Sequence, residues 1–194
     1  PDSFSDGGRF LRRDNAIRQA EAMITAGVAI VDIGGESTRP GAASVTADEE
    51  LERVIPVIES LLKAKPDIFI SIDTNKPTVM ARAISAGARM VNDVKALTAP
   101  GAMEVVANTA VMVCLMHMRG NPDTMQKNPQ YDSVVDEVKQ YLSTRIHECT
   151  QAGIHRQNII IDPGFGFGKA LDHNLLLFNK LETFKTLDTP LLMG

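Results

Sequence analysis

Apolar residues along this chain fall into two regimes: stripes at helical spacing, and short unbroken runs that read as strands. The spacing predicts a first helix over residues 14–26, closed by Gly27, and then a strand over 29–33. A capping-box pattern from Thr46 to Glu49 opens the second helix, whose apolar stripe is Leu51, Val54, Ile55, Ile58, Leu61 and Leu62. Pro56 lies inside that stripe and is expected to remove one hydrogen bond and bend the axis. Residues 68–72 form the next strand, and Pro77 suits the first turn of a third helix that ends near Gly87. A short strand over 89–91, a fourth helix opened by Pro100 and an apolar strand over 111–116 follow. The fifth helix carries Val134, Val138, Leu142, Ile146 and Cys149 on one face, a strand covers 159–161, and a sixth helix spans about 173–183. The run Leu191 to Gly194 reads as the start of a sixth strand.

Strict alternation of apolar strands with helices implies a parallel sheet buried on both faces, either a (β/α)8 barrel or a doubly wound sheet. Nearly every strand releases polar residues at its carboxyl end: Asp32, Glu36, Ser71, Asp73, Asn92, Asp93, His117, Arg119 and Asp162. A barrel gathers such ends at one mouth, whereas an open sheet needs only a few near its switch point. The expectation is therefore an α/β TIM (β/α)8 barrel. Pro1 opens without Met or a preceding strand and the last strand stops at Gly194. Residues 1–194 are accordingly expected to form one barrel domain that lacks its first strand and its C-terminal units.

Composition changes this picture little. Hydrophobic residues make up 44% and charged residues 23%, an ordinary globular mix. The net charge of −4 argues against nucleic acid or an anionic membrane as partner, though a single Arg can still hold a phosphate. Cys114 and Cys149 stand in unrelated contexts and suggest a reducing compartment. No signal peptide is visible, and no run approaches 18 apolar residues.

The chemistry concentrates in the strand-end segments. Asp32-Ile33-Gly34-Gly35-Glu36-Ser37-Thr38-Arg39-Pro40-Gly41 joins paired glycines to an Arg whose planar fork matches phosphate oxygens; a solvated turn is the competing reading. Asp73 ends a strand as a ligand acceptor or as a cap of the third helix. Asn92 and Asp93 follow a very short strand, and either side chain can build a turn. His117 is either a general acid–base or a loop-holding residue, with the second favoured. The strongest segment is Asp162-Pro163-Gly164-Phe165-Gly166-Phe167-Gly168-Lys169, in which three glycines permit close approach and the phenylalanines suit a flat ligand. Acceptors at Asp73, Asn92 and Asp162, an anion fork at Arg39 and aromatic walls together fit a flat heterocycle rich in N–H donors that also bears a phosphate. A buried donor left unpaired there would cost ~1–3 kcal/mol.

These segments, together with Pro1-Asp2-Ser3-Phe4-Ser5-Asp6-Gly7-Gly8 and Leu115 to Pro122, resemble the dihydropteroate synthase family in order and spacing over the whole chain. The resemblance implies a cytoplasmic, homodimeric TIM-barrel transferase of folate biosynthesis that uses Mg²⁺ and is a sulfonamide target. The reaction implied condenses 6-hydroxymethyl-7,8-dihydropterin diphosphate with p-aminobenzoate to give 7,8-dihydropteroate and diphosphate. Carried over by motif, Asp73, Asn92, Met116 and Asp162 bind the pterin, Thr38 and Arg39 hold the diphosphate, and Phe167 contacts the aminobenzoate. Asp6 and Arg39 are the implied catalytic residues, and Asp6 lies with Phe4 on the first loop. The Asn implied for Mg²⁺ falls before Pro1, so no metal ligand is expected within these residues, and the 194 residues alone are expected to be inactive. Two other readings stand beside this one: the pterin-binding domain of a methyltetrahydrofolate-dependent methyltransferase, and a non-catalytic pterin-binding module. Methyltransferases need no diphosphate grip, so the segment Glu36 to Gly41 favours the synthase.

Overall fold

A computed structural model of the protein describes residues 13–38, 44–107, 109–121 and 124–194. Helix α1 (Arg13–Thr25) leads into strand β1 (Ile30–Gly34), and α2 (Ala47–Ala64) into β2 (Phe69–Asp73). Then come α3 (Pro77–Ser85), β3 (Met90–Asp93), α4 (Ala102–Ala107), β4 (Met112–Met116), α5 (Val134–Gln151), β5 (Ile159–Asp162) and α6 (Leu171–Asn179).

Local chemistry sets these boundaries. The capping box at α2 forms as the pattern predicts: the Glu49 amide donates to Thr46 Oγ1 at 3.2 Å, and the Thr46 amide donates to Glu49 Oε2 at 3.0 Å. The Thr46 amide, and the Thr46 hydroxyl that also donates to Glu49 Oε2 at 3.0 Å, hold the Glu49 carboxyl below its ordinary range. Pro56 does not interrupt α2, which runs through it for 18 residues. Pro77 takes the first turn of α3, where its missing N–H leaves no orphan. Two expectations shift. The last helix starts at Leu171, stops at Asn179, and gives way to a 3-10 stretch over Leu181–Leu187 that buries Phe184 and Leu187. The expected sixth strand is a single parallel bridge from Leu191 to Ile161 among the described residues.

The five strands pair in parallel in the order β1-β2-β3-β4-β5. Every crossover moves one position the same way. Right-handed connections then put all the helices on one face, with no switch point of the kind a doubly wound sheet requires. This is the arc of a β/α barrel. The helix-facing side carries the core: Val31, Ile70, Ile72, Val91, Val113, Leu115, Ile159 and Ile161, packed by Val54, Ile58 and Leu61 of α2 and by Val138, Leu142 and Ile146 of α5.

Candidate functional site

Side chains alternate along a strand, so the register fixes which residues share the other face. Asp32 pairs with Ser71, Gly34 with Asp73, Asp73 with Asn92, Asn92 with Cys114, and Met116 with Asp162. These pairings, read with the alternation, place Asp32, Asp73, Asn92, Met116 and Asp162 together on the concave face, toward the carboxyl ends. Ser71, Met90 and Cys114 lie buried on the same face. Asp93 is one position out of phase. It points among the helices, fully buried, and accepts from the Lys95 and Leu97 amides at 2.8 Å each. It thereby holds a turn in which Ala96 (φ 50°) and Leu97 (φ 58°) are left-handed. Burial raises its pKa to about 6 against those two bonds. Asp93 is the turn-builder and Asn92 the site residue.

Within the concave row the Asn92 amide nitrogen donates to Asp32 Oδ2 at 3.0 Å, which leaves its carbonyl oxygen as the acceptor for a ligand. Asp73 is held well above the usual carboxylate range, first by burial and then by the charges of Asp32, Asp93 and Glu50. Burial also raises Asp162, against the opposing effects of the Gly164 amide, which donates to it at 2.7 Å, and of Lys169. N–H donors of a ligand would favour the ionised form of both carboxyl groups.

The loop after β1 is tied down by Glu36, which the strand-end pattern named, and by Lys76 and Glu50, which it did not. Lys76 Nζ lies 2.6 Å from both Glu36 Oε2 and Glu50 Oε2, and Glu36 Oε1 accepts from the Val45 amide at 2.9 Å. Pairing raises the Lys76 pKa although burial opposes it. Glu50 is completely buried, with its other oxygen unbonded. A signal was present in the sequence: Glu50 sits four residues before Val54 and eleven before Leu61, on the apolar stripe, where a charge requires a partner. Lys76→Met would strand the Glu50 carboxylate and should cost about 2–3 kcal/mol, reduced from the fully buried value because Lys76 is 21% exposed. A shift in the urea midpoint measures it; no shift would show that the pair does not clamp this loop.

Thr38 is half-buried beyond Glu36 on the same loop. Phe4, Asp6 and Arg39 lie outside the described residues. His117 and Arg119, expected at the mouth, do not join the concave row. His117 is buried, and burial together with the nearby Lys169 ammonium lowers its pKa to about 3, so the ring is neutral and structural. Arg119 stacks 4.1 Å from the Tyr131 ring and pairs with Glu137 at 2.7 Å. Both border an open cleft of about 680 Å³ beside α5. Cys114 and Cys149 are buried thiols with raised pKa values, about 11 for Cys149. Among the described residues no three of His, Cys, Asp and Glu come together as metal ligands, and no helix is long and apolar enough to cross a membrane.

Acceptors and a methionine gathered on the concave face of a parallel barrel arc define a barrel enzyme for a small, flat ligand. Consistent with that class, the family described as pterin binding enzyme matches residues 1–194. Dihydropteroate synthase of Escherichia coli (strain K12) is 50% identical over 194 residues, which is all of this chain and 68% of that protein. The Yersinia pestis dihydropteroate synthase, solved with a sulfonamide drug complex, superposes with a TM-score of 0.95 at 46% identity, over 100% of this chain and 70% of that one. The Xanthomonas albilineans enzyme, solved with 4-aminobenzoic acid, gives 0.90 at 47% identity, over 100% and 68%. The chain belongs to the dihydropteroate synthase family of transferases.

Proposed function

We propose that the concave face is the substrate platform for condensing 6-hydroxymethyl-7,8-dihydropterin diphosphate with p-aminobenzoate in folate biosynthesis. The carrying observation is the single row of Asp32, Asp73, Asn92, Met116 and Asp162. Asp73 and Asp162 accept from the amino and ring N–H groups of the pterin, the Asn92 carbonyl takes a further donor, and Met116 packs on the ring. Thr38 and Arg39 hold the diphosphate on the loop braced by Glu36 and Lys76. Phe167 flanks the aminobenzoate, an assignment carried by the motif; binding of p-aminobenzoate itself is supported by the Xanthomonas albilineans enzyme solved with 4-aminobenzoic acid. Sulfonamide binding is supported by the Yersinia pestis enzyme, solved with a sulfonamide drug complex.

The chemistry is displacement of diphosphate from the exocyclic methylene by the arylamine nitrogen. An electron-rich dihydropterin stabilises a methylene cation, so the protein has to hold the leaving group, align the amine and keep competing water out. Asp6 and Arg39 are assigned to the catalytic group by sequence resemblance alone. Mg²⁺ would neutralise the leaving diphosphate when bound. The described residues supply no ligand cluster for it. Residues 1–194 belong to one barrel domain, and the full-length protein is a cytoplasmic homodimer.

The test is calorimetry of the full-length protein with the pterin diphosphate, followed by a turnover assay with p-aminobenzoate. Saturable binding and diphosphate release dependent on p-aminobenzoate are expected. Binding without turnover would establish the non-catalytic module instead, and methyl transfer from methyltetrahydrofolate would establish the methyltransferase.

A further inference from the structure

Lys169 ends the Gly-Phe segment and has no part in the reading above, yet it is only 2% exposed. An ammonium group persists in such a place only when it is fully hydrogen-bonded. Its Nζ lies 2.7 Å from the Gly164 carbonyl, 3.0 Å from the Phe167 carbonyl, 3.0 Å from His117 Nδ1 and 3.2 Å from the His117 carbonyl. Two of these acceptors belong to its own loop and two to the residue that follows β4. The neutral His117 ring can serve as an acceptor at Nδ1. Burial lowers the Lys169 pKa to about 7, the cost of holding a cation there.

The loop is secured at other points too. The Gly166 amide donates to Asn174 Oδ1 at 2.9 Å, and Tyr131 Oη donates to the Gly168 carbonyl at 2.8 Å. The Phe167 amide donates to the Gly164 carbonyl within the loop at 3.2 Å, and Lys169 is the clamp that takes the Phe167 carbonyl and joins it to the residue after β4. The Phe167 side chain can stand in one place only if the peptide bearing it is fixed, and a displacement of about 1 Å costs up to 10²-fold in a positioned reaction.

We propose that Lys169 is a positioning residue for the arylamine: by tying the Phe167 carbonyl to the end of β4, it sets where the Phe167 ring meets p-aminobenzoate. The inference rests on the assignment of Phe167 to the aminobenzoate. It predicts a signature that a general packing role would not give. Lys169→Met should raise KM for p-aminobenzoate by roughly tenfold and KM for the pterin diphosphate clearly less, the latter because loss of the ammonium disfavours ionisation of Asp162. The two effects should also be non-additive, because residues acting through one contact couple.

Steady-state kinetics of Lys169→Met, Phe167→Ala and the double variant in the full-length protein test this. In the Phe167→Ala background the lysine change should add less than twofold. An unchanged p-aminobenzoate KM in Phe167→Ala would remove the Phe167 assignment. A normal Phe167→Ala effect beside an additive Lys169→Met effect, or one equal for both substrates, would overturn the positioning role alone. Should Lys169→Met fail to fold, His117→Ala takes away one acceptor and leaves the ammonium in place. It should raise the p-aminobenzoate KM selectively, and His117→Asn, whose amide oxygen reaches the Nδ1 position, should restore it. No change, or an equal change for both substrates, overturns the proposal.

Discussion

Asp73→Asn should lower affinity for the pterin diphosphate at least about 10²-fold, close to 3 kcal/mol, and should at the same time make the unliganded protein more stable at neutral pH. The first effect follows from replacing a two-oxygen acceptor by an amide that turns an NH₂ toward ligand donors. The second follows from the carboxyl's surroundings. Burial and the charges of Asp32, Asp93 and Glu50 hold Asp73 well above its ordinary value of 3.8. The unfolded chain ionises the group near 3.8, and the folded chain does so only at higher pH. Between those limits unfolding releases a proton, so stability is complete below the unfolded value and is lost as pH rises through the folded one. The amide removes that loss. Pterin affinity of the unaltered protein runs the other way with pH, because the ligand binds the carboxylate, and it should weaken as pH falls through the raised value. Calorimetry across pH and thermal melts of both forms give the two readouts. Binding within about threefold of normal would remove Asp73 from the site, and an unchanged melting temperature would show that its carboxyl is not strained.

Gly164→Ala should cost about 4 kcal/mol of stability and abolish turnover with it. A Cβ on Gly164 would stand 2.0 Å from the His117 carbonyl oxygen, at a backbone φ of +70°. Neither side can yield: the carbonyl belongs to the end of β4 and accepts from Lys169. Gly166 is the internal control. Its φ is +78°, but nothing lies within 4 Å of its Cβ position, so Gly166→Ala should cost only the left-handed term of about 1 kcal/mol. Denaturant midpoints of the two variants separate close approach from backbone conformation. Equal losses would mean that contact with β4 is not what requires glycine at 164.

The candidate site was partly legible before any coordinates. Strand-end polarity pointed to Asp32, Asp73, Asn92 and Asp162, and the register gathers these four on one face. The same rule failed for Asp93, His117 and Arg119. Polarity at a strand end says nothing of which face a residue takes, and one step along a strand reverses it. Lys76 escaped notice, and Lys169 was read only as the end of the Gly-Phe segment, because a lysine beside a proline or after a glycine reads as solvated surface. The apolar stripe signalled that Glu50 needs a partner, but only packing reveals that Lys76 supplies it and that four acceptors converge on Lys169.

Element type, helix caps and the alternation of strand with helix were determined by sequence alone. They depend on neighbours within one or two turns: the Thr46–Glu49 box, Pro77 at a first turn, apolar runs of four or five residues. Tertiary structure alone decided that the strands pair in unbroken order into a barrel arc, that Asp73 is electrostatically strained, and that Lys169 holds the loop bearing Phe167. These properties arise from groups dozens of residues apart, whose distances and shared burial are created only when the strands come into register.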